Sequence, residues 1–301
     1  MLRILTKLIG RVILGTLILG LVAYATLFVA NLRDQSPTPK IAEIVALQEH
    51  GLPVIRNDNA YLYMLGFAAP PNDEPMARGR ERFTWMQAAA PVFRSADDPL
   101  NDDYNVRSTR SDAVAKLANA CAQSPRECIR LLQTNEDISA QWLSNERWLR
   151  ERYRTLLSLP FFKEGLTAEL YTPTPSYGLI LDAQRLHLVD AWRAAADADA
   201  DAVTAALERD LVYWRLVLTN SDALITKLIA TAAIIRHFTF GNLALRRLPP
   251  DAQANAIPSA WRTPISAAER SMRRVSANEA AYFVNVVTDT TMRDQNPITV
   301  W

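Results

Sequence analysis

Glycine is scarce in this chain: nine occur in 301 residues, and Gly10, Gly15 and Gly20 lie in or beside one apolar run near the start. The six that remain are few for a protein of tight turns and hairpins. Neither GxGxxG nor GxxxxGK followed by Ser or Thr occurs, which excludes glycine-rich phosphate loops. Histidine is scarcer still. His50, His187 and His237 have no metal-ligand spacing to one another, to cysteine or to acidic residues, and no HExxH occurs. Charge of one sign is also missing, because 33 Lys and Arg face 32 Asp and Glu for a net charge of +1. Of the basic residues 28 are Arg, interleaved with acids throughout, so the basic stripe of a nucleic-acid binder is absent. The excess of Arg over Lys reads as a bias of gene composition.

Against these absences stands one long hydrophobic run. Residues 12–30, VILGTLILGLVAYATLFVA, carry no charge and follow Arg3, Lys7 and Arg11. At a rise of ~1.5 Å per residue the run reaches about 28 Å, close to the hydrocarbon thickness of a bilayer. Such a segment satisfies its own backbone only as a helix. Basic residues tend to stay on the cytoplasmic side, and the far flank mixes Arg33 with Asp34 and Lys40 with Glu43. Ala23-Tyr24-Ala25 has the form of a signal-peptidase site, but the apolar run continues through Leu27, Phe28 and Val29, and no Cys follows to take a lipid. The run therefore reads as an uncleaved anchor. Thr16 and Gly20 form a small-xxx-small pair through which two anchors would pack into a homo-oligomer. The expected organisation is a cytoplasmic N-terminus at 1–11, a transmembrane helix at 12–30, a juxtamembrane segment at 31–58 and an extracytoplasmic domain at 59–301. This is the plan of a single-pass protein of a bacterial inner membrane with a periplasmic domain.

Few glycines together with many Ala, Leu, Arg and Glu point to an all-α domain. Thr38 and Pro39 open a short helix that Gly51 stops, over residues 39–50. The apolar segment 59–66 ends at Gly66 and Pro70-Pro71, and a helix from about Pro75 to Ala89 is closed by Pro91. Residues 91–111 hold Asp97, Asp98, Asp102 and Asp103 against Arg94, Arg107 and Arg110 without apolar period, and read as a solvated excursion. Ser124-Pro125-Arg126-Glu127 is a capping box, so one helix ends near Ala122 and another begins at Pro125. Cys121 and Cys128 flank that corner. They are the only two cysteines, the inferred compartment is oxidising and the spacing is not CxxC, so a structural disulfide is expected.

From Glu136 to Ser158, Ile138, Trp142, Leu149, Tyr153 and Leu156 recur at helical spacing and predict one amphipathic helix. Its other face, Glu146, Arg147, Arg150, Glu151 and Arg154, reads as solvated, with Glu146–Arg150 and Arg147–Glu151 as i,i+4 pairs. Residues 177–196 and 203–218 predict an antiparallel helix pair about a turn at 197–200. The pair resembles one unit of a tetratricopeptide-like array in length, but that family's Trp, Gly, Tyr and Pro signature is absent and no second copy occurs. Residues 223–245 are the most apolar part of the domain. Lys227 and Arg236 leave only eight uncharged residues between them, so this is a central buried helix and not a second span. Ser266 with Glu269 is a second capping box, expected to launch a last helix to about Met292 before the tail at 297–301.

Three constellations carry chemistry by residue type. Asp197, Asp199, Asp201 and Glu208 match positions 1, 3, 5 and 12 of a helix-loop-helix calcium site, but Ala202 replaces the glycine of the sixth position. The aspartates then read as a helix start, where negative charge meets the positive end of the macrodipole. His187 and Asp190 lie three apart on one helix, as a base and its orienting carboxylate would, with Glu208 a further acid to test. Lys227 sits among apolar neighbours, and Trp142, Trp148, Trp192 and Trp214 read as core and interface aromatics. No catalytic set, cofactor site or metal site is complete. The expected role is a membrane-anchored scaffold or partner-binding module of the envelope, docking other envelope proteins. A helical envelope enzyme using His187 and Asp190, and a sensor with a ligand groove between helices, are the alternatives.

Overall fold

Helix α1, Leu2–Asn31, is what an apolar run without breakers must become. The computed structural model describes residues 2–31, 39, 46, 54–88, 104–165 and 174–288, and the chain divides into two units, Met1–Glu43 and Ile44–Trp301. In the first unit none of Gly10–Val29 is buried, and this stretch is long and apolar enough to cross a membrane. The Thr16 and Thr26 hydroxyls donate to the carbonyls of Val12 and Val22, at 3.0 and 2.8 Å, so each is satisfied within the helix. The helix expected at 39–50 lies outside the described residues, apart from Pro39 and Ala46, both helical. The tail at 297–301 also lies outside them.

The second unit is all-α, with no strand among the described residues. Its helices are α2 Ala60–Leu65, α3 Pro75–Ala88, α4 Asp112–Gln123, α5 Pro125–Thr134, α6 Glu136–Asn145, α7 Arg147–Leu157, α8 Tyr177–Ala196, α9 Ala200–Asn220, α10 Leu224–Arg247, α11 Pro250–Gln253, α12 Ala267–Arg270 and α13 Arg273–Thr288. Two 3-10 turns, Val106–Thr109 and Ser259–Arg262, lie between them. Asn59 starts the bundle. Its Oδ1 accepts from the amides of Tyr61 and Lys163, both at 3.1 Å, and its Nδ2 donates to the carbonyls of Val54 and Lys163, at 2.8 and 2.9 Å. Helices α2 and α3 touch backbone to backbone, since a Cβ on Gly79 would lie 1.6 Å from the Leu62 carbonyl oxygen. Buried Arg152 holds the exit of α2 by donating to the carbonyls of Phe67, Ala69, Pro70 and Asp73 at 2.5–2.9 Å. Cys121 and Cys128 form a disulfide across the α4–α5 corner.

Four expectations change. The helix read over 136–158 is two, α6 and α7, broken at Glu146. The cause is a long-range pair: buried Glu146 receives both arms of Arg110, at 2.6 and 2.8 Å, instead of reaching Arg150 on its own helix. The excursion at 91–111 is therefore not wholly solvated. From Tyr104 onward it is described; Val106 is buried, and Arg110 and Arg107 reach buried Asp182 at 3.6 and 3.4 Å. At Ser124 only half of a capping box forms, because the Glu127 carboxylate turns to Arg130. The box at Ser266 is complete but launches only four residues; Arg215 recruits Glu269, and the chain leaves the helix at Ser271 before α13.

Helices α8, α9 and α10 are the core layer. Gln184 meets Asp210 and His187 meets Ala206, so α8 and α9 run in opposite directions; Asp210 meets His237 and Leu218 meets Lys227, so α9 and α10 do too. Fully buried Asp210 joins them. It accepts from the Tyr153 hydroxyl of α7 at 2.5 Å, from Gln184 Nε2 of α8 at 3.1 Å and from His237 Nδ1 of α10 at 2.7 Å. Desolvation pushes the Asp210 carboxyl upward, but the His237 hydrogen bond and the neighbouring donors carry it below its ordinary value. Beyond the hub, Trp214 Nε1 donates to the Tyr153 oxygen at 2.8 Å and Trp261 Nε1 to His237 Nε2 at 2.7 Å. Since the indole can only donate, His237 keeps its proton on Nδ1.

Buried Glu164 caps α10. It accepts from the amides of Asp222 and Ala223 and from the Thr226 hydroxyl, which in turn receives Tyr177. Burial pushes its carboxyl up to about 7, against the opposing pull of these donors. Tyr61, Tyr177 and Asp222 face it, and Lys163 and Arg274 pair with Asp222.

Two outcomes are expected. Asp210→Ala strands three buried donors and should lower the stability of the helical domain by about 3–5 kcal/mol in urea unfolding of the full chain. Asp210→Asn should lose less. Because the Glu164 carboxyl titrates near 7 when folded and at its ordinary 4.5 when unfolded, the folded state holds the extra proton between those values. Glu164 then costs stability as pH rises from 4.5 toward 7, by up to about 3 kcal/mol. His187, whose pKa burial lowers, acts with the opposite sign below its ordinary 6.5. The check is the difference in melting temperature between the wild type and Glu164→Gln across pH 4.5–7.5.

Candidate functional site

Three helices turn arginines toward one groove. On α7, Arg147, Arg150 and Arg154 share a face at three- and four-residue spacing; α8 supplies Arg193 and α9 supplies Arg209. The groove has a volume of about 960 Å³ and is closed at one side by Leu143 and Ser144 of α6. Alanines 191, 194, 202 and 206 form its apolar wall between the charges. His187, Asp190 and Asp197 also line it, so five arginines face two aspartates and leave a surplus of three positive charges. The face of α7 that reads as solvated in sequence is thus one wall of a cleft.

The charges are unevenly engaged. Asp190 bridges Arg150 and Arg154, one carboxylate oxygen to each, at 2.8 and 2.7 Å. Arg150 Nε remains buried without a hydrogen-bond partner. Arg147 pairs with exposed Glu151 at 2.7 Å, as its spacing predicts. Arg209 uses Nε on the Ala205 carbonyl at 3.1 Å, and Arg193 lies 3.5 Å from the Ser139 hydroxyl. Arg147, Arg193 and Arg209 therefore retain guanidinium nitrogens outside these bonds.

His187 and Asp190 meet in this groove, as their spacing predicts, but no hydrogen bond joins them. His187 Nε2 lies 3.1 Å from the Ala206 carbonyl oxygen and so carries the proton, while burial lowers the imidazole pKa. The ring is neutral at pH 7 and anchors α8 to α9. Glu208 is elsewhere, accepting from the Ser259 hydroxyl and the Ala260 amide at 2.6 and 3.0 Å, where it caps the second 3-10 turn. The three residues do not form a catalytic set.

The aspartates at 197–201 do not form a calcium loop. Asp199 is the N-cap of α9 and accepts from the Ala202 amide at 2.9 Å, and Asp201 is already inside the first turn. The left-handed residue is Ala198, at φ 59°, not the one at 202. Among the described residues no cluster of His, Cys, Asp and Glu suits a metal ion. Lys227 is buried and donates to the Leu218 carbonyl at 2.8 Å, with its pKa lowered by desolvation. His237 belongs to the Asp210 hub, and His50 lies outside the described residues. Trp142, Trp192 and Trp214 are buried in the core and Trp148 packs against it; Arg247 also lies 3.9 Å over the Trp192 ring.

Sequence reasoning missed Arg193 and Arg209, and missed that the α7 arginines line a cleft. The signal that existed was the 147, 150, 154 spacing; what lay across from it was not encoded locally. No family model matches the chain, and neither does any curated protein or solved structure.

Adding millimolar calcium should leave the melting temperature unchanged. Asp199→Ala should cost about 1 kcal/mol through the lost cap, with or without calcium.

Proposed function

We propose that the protein is a single-pass, membrane-anchored binding module of the bacterial envelope, with its helical domain in the periplasm, and that it docks an anionic partner in the arginine-lined groove. The observation that carries the reading is the groove itself: five arginines from three helices, of which Asp190 engages only Arg150 and Arg154. A cleft of this kind attracts negative charge by its field and orients it by its forks. Two features support the location. The apolar helix from Gly10 to Val29 is long and apolar enough to cross a membrane, and the Cys121–Cys128 disulfide suits an oxidising compartment. Small residues at Thr16 and Gly20 would let anchors pair.

The catalytic alternative is weaker, because His187 spends its protonated nitrogen on Ala206 and Asp190 is held between two arginines. The groove is instead a place to hold something. A phosphatase that is active only after export, fused behind Trp301, should be active, and the chain should resist carbonate extraction from membranes. A photocrosslinking residue at Ala202, which lines the groove, should capture a discrete partner in intact membranes. The double change Arg147→Glu with Arg209→Glu should cut that capture about tenfold. A silent reporter would move the domain to the cytoplasm, and capture indifferent to both charge reversals would remove the groove from the reading.

A further inference from the structure

The arrangement of the arginines says more than their sign. A carboxylate is planar, and one guanidinium fork saturates its two oxygens. The groove already holds one carboxylate, that of Asp190, which gives one oxygen to Arg150 and the other to Arg154 at 2.8 and 2.7 Å. What remains belongs to three helices: Arg147 on α7, beyond the Nε that pairs with Glu151, Arg193 on α8 and Arg209 on α9. A tetrahedral phosphate monoester presents three terminal oxygens whose P–O bonds splay in three directions, and so takes donors from separate elements. A phosphate monoester carries about −1.5 to −2 at neutral pH, so two neighbouring phosphates approximate the surplus charge of the groove. No glycine is among the residues that line this cleft, and where the first turn of α9 reaches it the Ala202 amide is already taken by Asp199, so guanidinium groups are its main anion donors. The apolar wall of Ala191, Ala194, Ala202 and Ala206 gives the uncharged body of such a ligand a surface to lie on.

We infer that the groove takes a ligand bearing two adjacent phosphate groups, held by Arg147, Arg193 and Arg209, and that Asp190 weakens this binding by occupying Arg150 and Arg154. The inference rests on the groove being the docking site proposed above. Two sources share this chemistry, a soluble diphosphate and a lipid whose headgroup is a diphosphate.

The test uses the full chain in phosphatidylcholine nanodiscs, titrated calorimetrically with inorganic pyrophosphate and, separately, with citrate as a carboxylate of similar charge. Pyrophosphate should bind with a dissociation constant of about 0.1 mM or tighter, and citrate at least about tenfold more weakly. Arg209→Glu and Arg147→Glu, both at exposed positions, should each weaken pyrophosphate about tenfold or more. Asp190→Asn should tighten it several-fold, a gain that a misfolded variant does not produce. In a second arm, diacylglycerol pyrophosphate, a lipid whose headgroup carries two adjacent phosphates, is added to the nanodiscs. If only those discs compete for the groove, seen as loss of labelling at Ala202 that Arg209→Glu abolishes, the phosphate is a lipid's and the inference stands. Citrate binding as tightly as pyrophosphate would overturn it, as would pyrophosphate binding indifferent to Arg147, Arg209 and Asp190, or no response in either arm. Those failures would leave partner capture at Ala202 intact, so the ligand class and the docking role fail separately.

Discussion

One buried carboxylate organises the domain. Asp210, on α9, is reached by donors from α7, α8 and α10, and each donor is oriented in turn: Tyr153 by Trp214, Gln184 by the Ala233 carbonyl and His237 by Trp261. A carboxylate inside a core is costly unless its lone pairs are filled, so only one relative register of the four helices satisfies it. Positive charge sits one link away, where Arg236 donates to Gln184 Oε1 at 3.2 Å. Desolvation lowers the Arg236 pKa to about 10, which still leaves the guanidinium charged at neutral pH. The hub thus fixes the register of helices that hydrophobic packing by itself specifies only loosely.

The groove inherits that register. Arg147, Arg150 and Arg154 oppose Arg193 and Arg209 only because α7 lies where Tyr153 meets Asp210. Among the described arginines, two sets differ in what they touch. Arg152 and Arg215 hold backbone: Arg152 donates to four carbonyls, and Arg215 donates to those of Ala260, Thr263 and Pro264 while pairing with Glu269, whose carboxyl this pair holds at about 2. Lysine has no planar fork for such work. In the groove, Arg147, Arg193 and Arg209 instead keep donors in reserve. The abundance of Arg over Lys, which reads in the sequence as gene composition, has specific employment in the fold.

Much of the helix order was legible because it is local. Ser124, Ser266 and Asp199 accept a backbone amide at the helix starts their pattern marks, and Pro75 and Pro125 open helices where proline is tolerated; Asn59 and Ser111 do the same work at starts that the pattern did not single out. The buried acids were not legible. Glu146, Glu164, Asp182 and Asp210 sit at positions where local pattern assigns charge to solvent, yet each is met by partners far away in sequence. The break at Glu146 follows from the same blindness, since the pull of Arg110 comes from 36 residues upstream. In the groove, His187 and Asp190 were visible as neighbours on one helix, while Arg193 and Arg209 were not distinguishable from other surface arginines.

Sequence therefore carried whatever depends on neighbours within a few residues: the apolar N-terminal helix, the all-α class, several of the caps, and the two cysteines at one corner. Tertiary structure decided which charged residues turn inward and which line a cleft. The reason is energetic. A helix former's local preference is worth a few tenths of a kcal/mol per residue, whereas an unpaired buried charge costs several. Where an acid such as Asp210 finds its donors on three other helices, that larger energy sets the outcome, and no short stretch of sequence contains it.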